Sequence, residues 1–217
     1  MLSAILFDLD GTLVNTDDLH FQTWQDALRE LKIEIDRPFY NQKISGRTNE
    51  QIVRDILPQL PFETGLKIAH DKEANFRNLA GKLTATPGLD KILNWVKNND
   101  LKKAVVTNAP RDNAKFMLEA LALTETFETV ILAEDAPRGK PDPAPYQLAL
   151  KRLQIEKDRA IVFEDSPSGL RSAKAAGIYT IGVASGHEPE YLLELGADRV
   201  IDDFTDRELW QWLETMV

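Results

Sequence analysis

The chain has 217 residues, of which 43% are hydrophobic and 28% charged, and its formal net charge is −9. This length suits one large domain or a core with a modest insertion, and the acidic balance argues against a nucleic acid or an anionic membrane as partner. Cysteine is absent, which excludes disulfides and thiol catalysis. With no recognisable signal peptide and no apolar run long enough to span a bilayer, we expect a soluble, cytoplasmic protein.

The first predicted strand, Ala4-Ile5-Leu6-Phe7, is an apolar run typical of a strand buried on both faces. Asp8 and Asp10 follow it, and Gly11 lets the backbone turn sharply straight after them. Side chains two residues apart in an extended chain point the same way, so both carboxylates can be aimed at one point. Because two like charges at such a short distance repel each other, this pair predicts a bound cation, a proton or both.

Helical patterns occupy the next stretch of the chain. Thr16 is expected to cap the first helix, and a break is expected at Arg37-Pro38. Thr48 and Gln51 have the form of a capping box at the start of a short helix. A longer helix is predicted from about residue 63 to residue 79.

Beyond residue 81 the pattern changes to strands alternating with helices. The predicted strands are Lys103–Val106, Thr129–Leu132, Ala160–Phe163, Tyr179–Val183 and Arg199–Ile201. This alternation predicts an α/β fold with a doubly wound, Rossmann-like parallel sheet. We therefore predict a core of residues 1–15 and 82–217, with an inserted α-helical cap of residues 16–81.

Three of the apolar strands end in polar groups, and a parallel sheet brings such ends to one edge. The groups are Asp8 with Asp10, Thr107 with Asn108, and Glu164 with Asp165, while Lys140 stands in a Gly-Lys-Pro-Asp-Pro segment. Taken singly, Thr107 is more often a hydrogen-bonding residue at a strand end, Lys140 a surface lysine, and Glu164-Asp165 a helix cap. The set of three strand ends is far more specific than any one member.

Taken in chain order, with Lys140 third, the four motifs resemble those of the haloacid dehalogenase-like (HAD) hydrolase superfamily. That superfamily has DxDGT after the first strand, then a Ser or Thr at a strand end, then a Lys, then acidic residues after a strand. The resemblance covers nearly the whole chain, and it implies phosphoryl transfer, in which positioning and charge neutralisation dominate.

By this resemblance, the catalytic residues are Asp8, Asp10 and Lys140. Asp8 attacks phosphorus and forms an aspartyl phosphate, while Asp10 protonates the leaving oxygen and then accepts a proton from the hydrolytic water. Lys140 balances the charge of Asp8 and of a phosphate oxygen. The Thr107 hydroxyl and the Asn108 backbone N–H bind the phosphate, aided by the helix predicted beyond Pro110.

The resemblance also implies a metal site for Mg²⁺, which prefers oxygen ligands and a phosphate co-ligand. The implied ligands are the Asp8 carboxylate, the Asp10 backbone carbonyl and Asp165, with Glu164 close by. Dehalogenase activity is not expected, because dehalogenase relatives lack such a Mg²⁺ site.

The predicted helical insertion resembles the cap of the subgroup that contains β-phosphoglucomutases and sugar-phosphate phosphatases. A cap excludes water and supplies the pocket for the leaving group, and the segment containing Gly46 and Arg47 is the candidate specificity loop. In that subgroup the mutases carry a lysine just before this glycine and an arginine three residues after it. Here these positions are Ser45 and Asn49, which argues against a mutase, although Arg47 offers a partial substitute.

We therefore expect a Mg²⁺-dependent phosphatase that acts on a small phosphorylated metabolite, and a monomer. The alternatives are a β-phosphoglucomutase-like phosphohexomutase and a catalytically silent phosphosugar sensor. His20 lies just past the acidic loop. It is either packed on a helix face or contacts substrate and shuttles protons.

Overall fold

The computed structural model describes residues 1–81 and 83–216. Within these residues, one parallel sheet contains β1 (Ala4–Phe7), β2 (Lys102–Val106), β3 (Thr129–Ile131), β4 (Ala160–Glu164), β5 (Tyr179–Val183) and β6 (Arg199–Ile201). The order across the sheet is β3-β2-β1-β4-β5-β6. The predicted doubly wound α/β fold is therefore confirmed, with the first strand at its centre.

Helices cover both faces of the sheet. They are α5 (Leu89–Asn98), α6 (Arg111–Ala120), α7 (Ala144–Leu153), α8 (Pro167–Ala175), α9 (Pro189–Glu194) and α10 (Arg207–Leu213). Ile5 and Phe7 of β1 pack in the apolar cluster with α5, α6 and α10, whereas Ala4 and Leu6 pack with α7 and α8 on the other face. This alternation explains why the strand is apolar at every position.

Neighbouring strands end level with one another at the sheet centre. Phe7 pairs with Val105 of β2 and with Phe163 of β4. The Asp8 backbone N–H continues the ladder by donating to the Phe163 carbonyl at 3.0 Å. As a result, the polar residues that end or follow β1, β2 and β4 lie at one edge of the sheet.

The chain between β1 and α5 is helical wherever a regular element is described. It contains α1 (Asp17–Arg29), α2 (Arg37–Lys43), α3 (Asn49–Ile56) and α4 (Phe62–Leu79). These helices share an apolar cluster that includes Trp24, Leu28, Tyr40 and Ile52. The predicted boundary at Lys82, and the terminal Val217, lie outside the described residues. Among the described helices, none is long and apolar enough to cross a bilayer.

Two local predictions were wrong in this segment. Arg37-Pro38 is the start of α2 and not a break, because proline is tolerated in the first helical turn, where its missing N–H needs no partner. Thr16 precedes α1 as expected, but its hydroxyl does not cap the helix and instead donates to Asp10 Oδ1 at 2.7 Å. The capping box of Thr48 and Gln51 is confirmed at the start of α3.

Candidate active site

The floor of the site is a buried ion cluster at the end of β1. Lys140 Nζ donates to Asp8 Oδ1 at 2.6 Å and to Glu164 Oε1 at 2.5 Å, and the lysine is only 1% exposed. Burial lowers the pKa of Lys140, but the Asp8 and Glu164 carboxylates outweigh it and leave that pKa above its ordinary value. The lysine is therefore held as a cation between two acids that are far apart in the sequence.

If all three were ionised, Asp8, Glu164 and Asp165 would carry more negative charge than Lys140 can balance. Each of the three offers a carboxylate oxygen, and these oxygens lie within 4.8 Å of one another. Burial raises the pKa of Asp8 to about 8, with Lys140 opposing and Glu164 reinforcing the rise. Burial and the neighbouring Glu164 also raise the pKa of Asp165 well above its usual value.

A hard divalent cation fits this arrangement. The donors are all oxygen atoms, which is the set that Mg²⁺ prefers. Within the described part of the chain, the buried Oδ1 of Asp165 has no hydrogen-bond partner, and a buried polar atom without a partner is costly unless an ion or water satisfies it. A Cβ on Gly11 would overlap the Asp165 carboxylate, so the chain leaves room for that carboxylate beside β1.

Glu164 differs from Asp165 because its two oxygens are already bonded. Besides Lys140, Glu164 Oε1 accepts from the Tyr146 hydroxyl at 3.2 Å, and Oε2 accepts from the Ser166 backbone N–H at 2.9 Å. A Cβ on Gly169 of α8 would overlap the Glu164 carboxylate. The helix itself is capped by Ser166, which accepts from the Gly169 N–H. Glu164 thus positions Lys140. The sequence did not indicate that Tyr146 would be a hydrogen-bond partner of Glu164.

The Asp10 side chain is not in that cluster and contacts a separate set of groups. Its Oδ1 accepts from the Thr16 hydroxyl at 2.7 Å and contacts His20 Nε2 at 3.1 Å. Burial raises the pKa of Asp10, but the hydrogen bonds from His20 and Thr16 outweigh it, so the pKa lies below its ordinary value. Asp10 is therefore held as a carboxylate in this state.

His20 connects Asp10 to a buried lysine on α4. Lys72 Nζ lies 2.7 Å from His20 Nδ1, and the His20 ring stacks on Phe76 with 4.1 Å between centroids. An ammonium group can only donate, so Nδ1 accepts and the ring proton sits on Nε2, facing Asp10. This arrangement places His20 beside the acidic pair as well as packing it on an aromatic ring.

Lys72 belongs to a buried polar chain that sequence reasoning missed. It lies 3.2 Å from both oxygens of Glu73, and Glu73 Oε2 accepts from Asn113 Nδ2 of α6 at 2.6 Å. Burial lowers the pKa of Lys72, against the opposing effect of Glu73. Two adjacent charged residues within the apolar stripe of α4 were the only sequence feature that pointed to this network.

The opposite side of the site follows β2. The Thr107 side chain is buried, and its hydroxyl accepts from the Ala109 backbone N–H at 2.9 Å. Asn108 donates to the Lys140 carbonyl at 3.1 Å and accepts from the Lys140 N–H at 3.0 Å. Helix α6 begins just beyond Pro110, which lines the same cleft, so the N-terminus of this helix lies beside it, as an anion site requires.

The loop before α3 closes over this cleft from the helical segment. The Gly46 carbonyl accepts from Asn108 Nδ2 at 2.9 Å and from the Ser168 hydroxyl at 2.5 Å. Gly46 has φ +70°, and a Cβ there would overlap the side chain of Ser166, so only glycine fits without strain. The adjacent Arg47 also lines the cleft.

The sequence-predicted residues therefore meet at one place. One cleft is lined by Asp8, Asp10, His20, Gly46, Arg47, Thr107, Asn108, Lys140 and Asp165. Glu164 lies beneath it, bonded to Lys140. The site offers a carboxylate beside a lysine, a second carboxylate beside a histidine, and a helix N-terminus. Such a set is suited to transfer of an anionic group.

Comparison with known proteins supports this description. A family model described as haloacid dehalogenase-like hydrolase matches residues 5–183. The chain is 32% identical over 206 residues to a phosphorylated carbohydrates phosphatase of Thermotoga maritima, covering 90% of this chain and 92% of that protein. It is 28% identical over 217 residues to a beta-phosphoglucomutase of Bacillus subtilis, covering 96% and 92%. The crystal structure of CbbY from Rhodobacter sphaeroides in complex with phosphate is similar with a TM-score of 0.82 and 28% identity, covering 95% of this chain and 96% of that chain.

Proposed function

The chain belongs to the haloacid dehalogenase-like hydrolase family and is a phosphatase of that family, and we propose that it hydrolyses small phosphorylated sugars or polyols with Mg²⁺ through an aspartyl phosphate on Asp8. The observation that carries this proposal is the pairing of Asp8 with Lys140 beside an Asp165 oxygen that has no partner among the described residues. The relative that acts on phosphorylated carbohydrates supports the substrate class.

Mg²⁺ would be held by the Asp8 carboxylate, the Asp10 backbone carbonyl and Asp165, with Glu164 close by. When bound, it supplies positive charge that neutralises the carboxylates and polarises a phosphoryl oxygen. The raised pKa values of Asp8 and Asp165 support this assignment, because such acids ionise readily only when a cation is near.

Asp8 is the proposed nucleophile. One of its oxygens forms a bond to phosphorus while the bond from phosphorus to the leaving oxygen breaks. Lys140 balances the negative charges of Asp8 and the phosphoryl group, and Thr107 and Asn108 hold the other phosphate oxygens. The geometry that supports these roles is the hydrogen bonding that joins Asn108 to Lys140 and Lys140 to Asp8.

Asp10 is the proposed general acid and base. The cycle begins with a proton on Asp10, which passes to the leaving oxygen in the first step. In the second step the Asp10 carboxylate takes a proton from the attacking water as the bond from Asp8 to phosphorus breaks, which releases phosphate and restores both acids. The lowered pKa of Asp10 favours the carboxylate that acts in this second step. His20 orients Asp10 through the Nε2 proton, and Lys72 sets the tautomer of His20.

We also propose that residues 16–81 act as a cap over a core of residues 1–15 and 82–217. The separate apolar cluster of α1 to α4 supports this division. In this view Gly46 and Arg47 enclose the leaving group, and closure of the cap excludes bulk water from the aspartyl phosphate.

The test is phosphate release from a panel of sugar and polyol phosphates with Mg²⁺, comparing the wild type with Asp8→Asn. We expect turnover of at least one hexose or pentose monophosphate, its loss with a chelator, and its loss in Asp8→Asn. Release at equal rates by the two proteins would contradict the proposal. Conversion of glucose 1-phosphate to glucose 6-phosphate faster than phosphate release would instead favour the mutase, and Asp8-dependent turnover excludes a silent sensor.

A further inference from the structure

We propose that Asp55 restricts this enzyme to substrates with a single phosphate group, by holding the guanidinium of Arg47 so that it cannot pair with a second one. This inference rests on the proposed phosphatase function and narrows its substrate class to monophosphates with an uncharged leaving group. Asp55 is on α3 outside the cleft, so it acts as a positioning residue through Arg47.

The guanidinium of Arg47 is held by acceptors of the protein. Its Nη2 forms an ion pair with Asp55 Oδ2 at 2.6 Å, and its Nη1 donates to the Lys43 carbonyl at 2.8 Å. The Gln51 carbonyl is a weaker third acceptor at 3.4 Å. A guanidinium with both terminal nitrogens engaged has few donors left for an oxyanion.

The other cations of the cleft are also neutralised. The arginine and lysine side chains among the described residues that line it are Arg47, Lys72 and Lys140. Lys140 is bonded to two carboxylates, and Lys72 is buried beside Glu73. A substrate with one phosphate can use Lys140 and the proposed metal. A second phosphate in the same cleft would meet no unpaired positive charge, and its desolvation would go uncompensated.

The wall that the helical segment contributes to the cleft suits a neutral, hydroxylated group. It contains the buried side chains of Trp24, Tyr40, Ser45 and Ile52, which are 2%, 3%, 8% and 2% exposed. Within the described residues, the buried Nδ2 of Asn49 on this wall has no hydrogen-bond partner. Apolar surface combined with a few polar atoms is typical of sites that select a sugar or polyol by its hydroxyl groups.

The test compares fructose 6-phosphate with fructose 1,6-bisphosphate in the wild type and in Asp55→Asn. For the wild type we expect a KM for the bisphosphate about tenfold above that for the monophosphate, since a charge-assisted hydrogen bond typically contributes a factor of that order. In Asp55→Asn, the released Arg47 should lower the bisphosphate KM by about tenfold. The monophosphate KM and both kcat values should stay within about twofold.

Two control variants make the comparison specific. Glu50→Gln removes an exposed acid from the same helix and should leave the preference unchanged. Arg47→Gln combined with Asp55→Asn should abolish the gain for the bisphosphate, because the gain requires the guanidinium. A purely structural effect of Asp55→Asn would move both substrates in the same direction, and the melting temperature of each variant reports on folding.

The inference is overturned if the wild type already has the lower KM for the bisphosphate, or if Asp55→Asn leaves the ratio of the two KM values unchanged. Absence of any turnover would instead contradict the proposed function. In that case, calorimetric binding of the same two compounds to the wild type and to Asp55→Asn still decides the inference, since the expected ratio applies to their dissociation constants.

Discussion

Replacing Asp8 by Asn should stabilise the protein when no metal is bound. Burial raises the pKa of Asp8 to about 8 in the fold, against an ordinary value of 3.8. Over that interval the unfolded chain loses the proton and the folded chain keeps it, so stability falls as the pH rises from about 4 to about 8. At pH 7 the difference spans about three pH units, or roughly 4 kcal/mol at about 1.4 kcal/mol per unit.

Asparagine cannot ionise, so Asp8→Asn removes this difference. In a chelator at pH 7, we expect the variant to be more stable by up to roughly 4 kcal/mol, which corresponds to a melting temperature higher by about 10 °C for a chain of this size. The gain should nearly vanish near pH 3, where the wild-type carboxyl is protonated in both states. The assay is thermal and urea unfolding at both pH values, with Asp71→Asn on the exposed face of α4 as the matched control.

Added Mg²⁺ should act in the opposite sense. It binds the ionised carboxylates of the folded wild type and stabilises it by about 2.7 kcal/mol at a hundredfold excess over its dissociation constant, while Asp8→Asn should gain much less. A metal-free Asp8→Asn variant that is no more stable than the wild type at pH 7 would refute this reasoning. So would an equal gain from Mg²⁺ in both proteins.

Three further changes test separate parts of the structure. Gly11→Ala places a Cβ against the Asp165 carboxylate at φ +74°, so it should lose at least about 1 kcal/mol of stability and most phosphatase activity; normal activity would contradict the packing described. Lys72 and Asn113 hold the pKa of Glu73 below its usual value of 4.5 against the effect of burial. The stability that ionised Glu73 contributes is therefore present above that pH and is lost below it. Urea unfolding from pH 6 to pH 3 should show that Glu73→Gln loses less free energy of unfolding on acidification than the wild type. Phe7→Ala opens a cavity against the stacked Phe163 ring and should cost about 3–5 kcal/mol, measured by urea unfolding; a cost under 1 kcal/mol would mean that the centre of the sheet is not close-packed.

The parts of the site that follow β1, β2 and β4 were predictable because each is encoded locally. An apolar strand that ends in Asp8, Thr107 or Glu164 is visible in the sequence, and a parallel sheet then brings such ends together without any knowledge of side-chain contacts. The capping box at Thr48 was predictable for the same reason, since its partner Gln51 lies only three residues away.

The buried network on α4 was not predictable because its contacts are long-range. Lys72 meets His20 across 52 positions of the chain, and Glu73 meets Asn113 across 40. A helical pattern shows only which face a side chain occupies, and charged residues on an apolar face usually reach toward solvent. Thr16 illustrates the same limit, because a residue type that favours helix caps bonds to Asp10 instead.

The measurement that tests the central claim most directly is trapping of the covalent intermediate on Asp8. A substrate that is turned over and carries ³²P is mixed with the protein and Mg²⁺, quenched in acid within one turnover, and the tryptic peptide of residues 1–29 is isolated. We predict a hydroxylamine-labile phosphoryl group on Asp8, located by tandem mass spectrometry and absent from Asp8→Asn. Rapid phosphate release with no labelled peptide, or with the label on a different residue, would contradict the account.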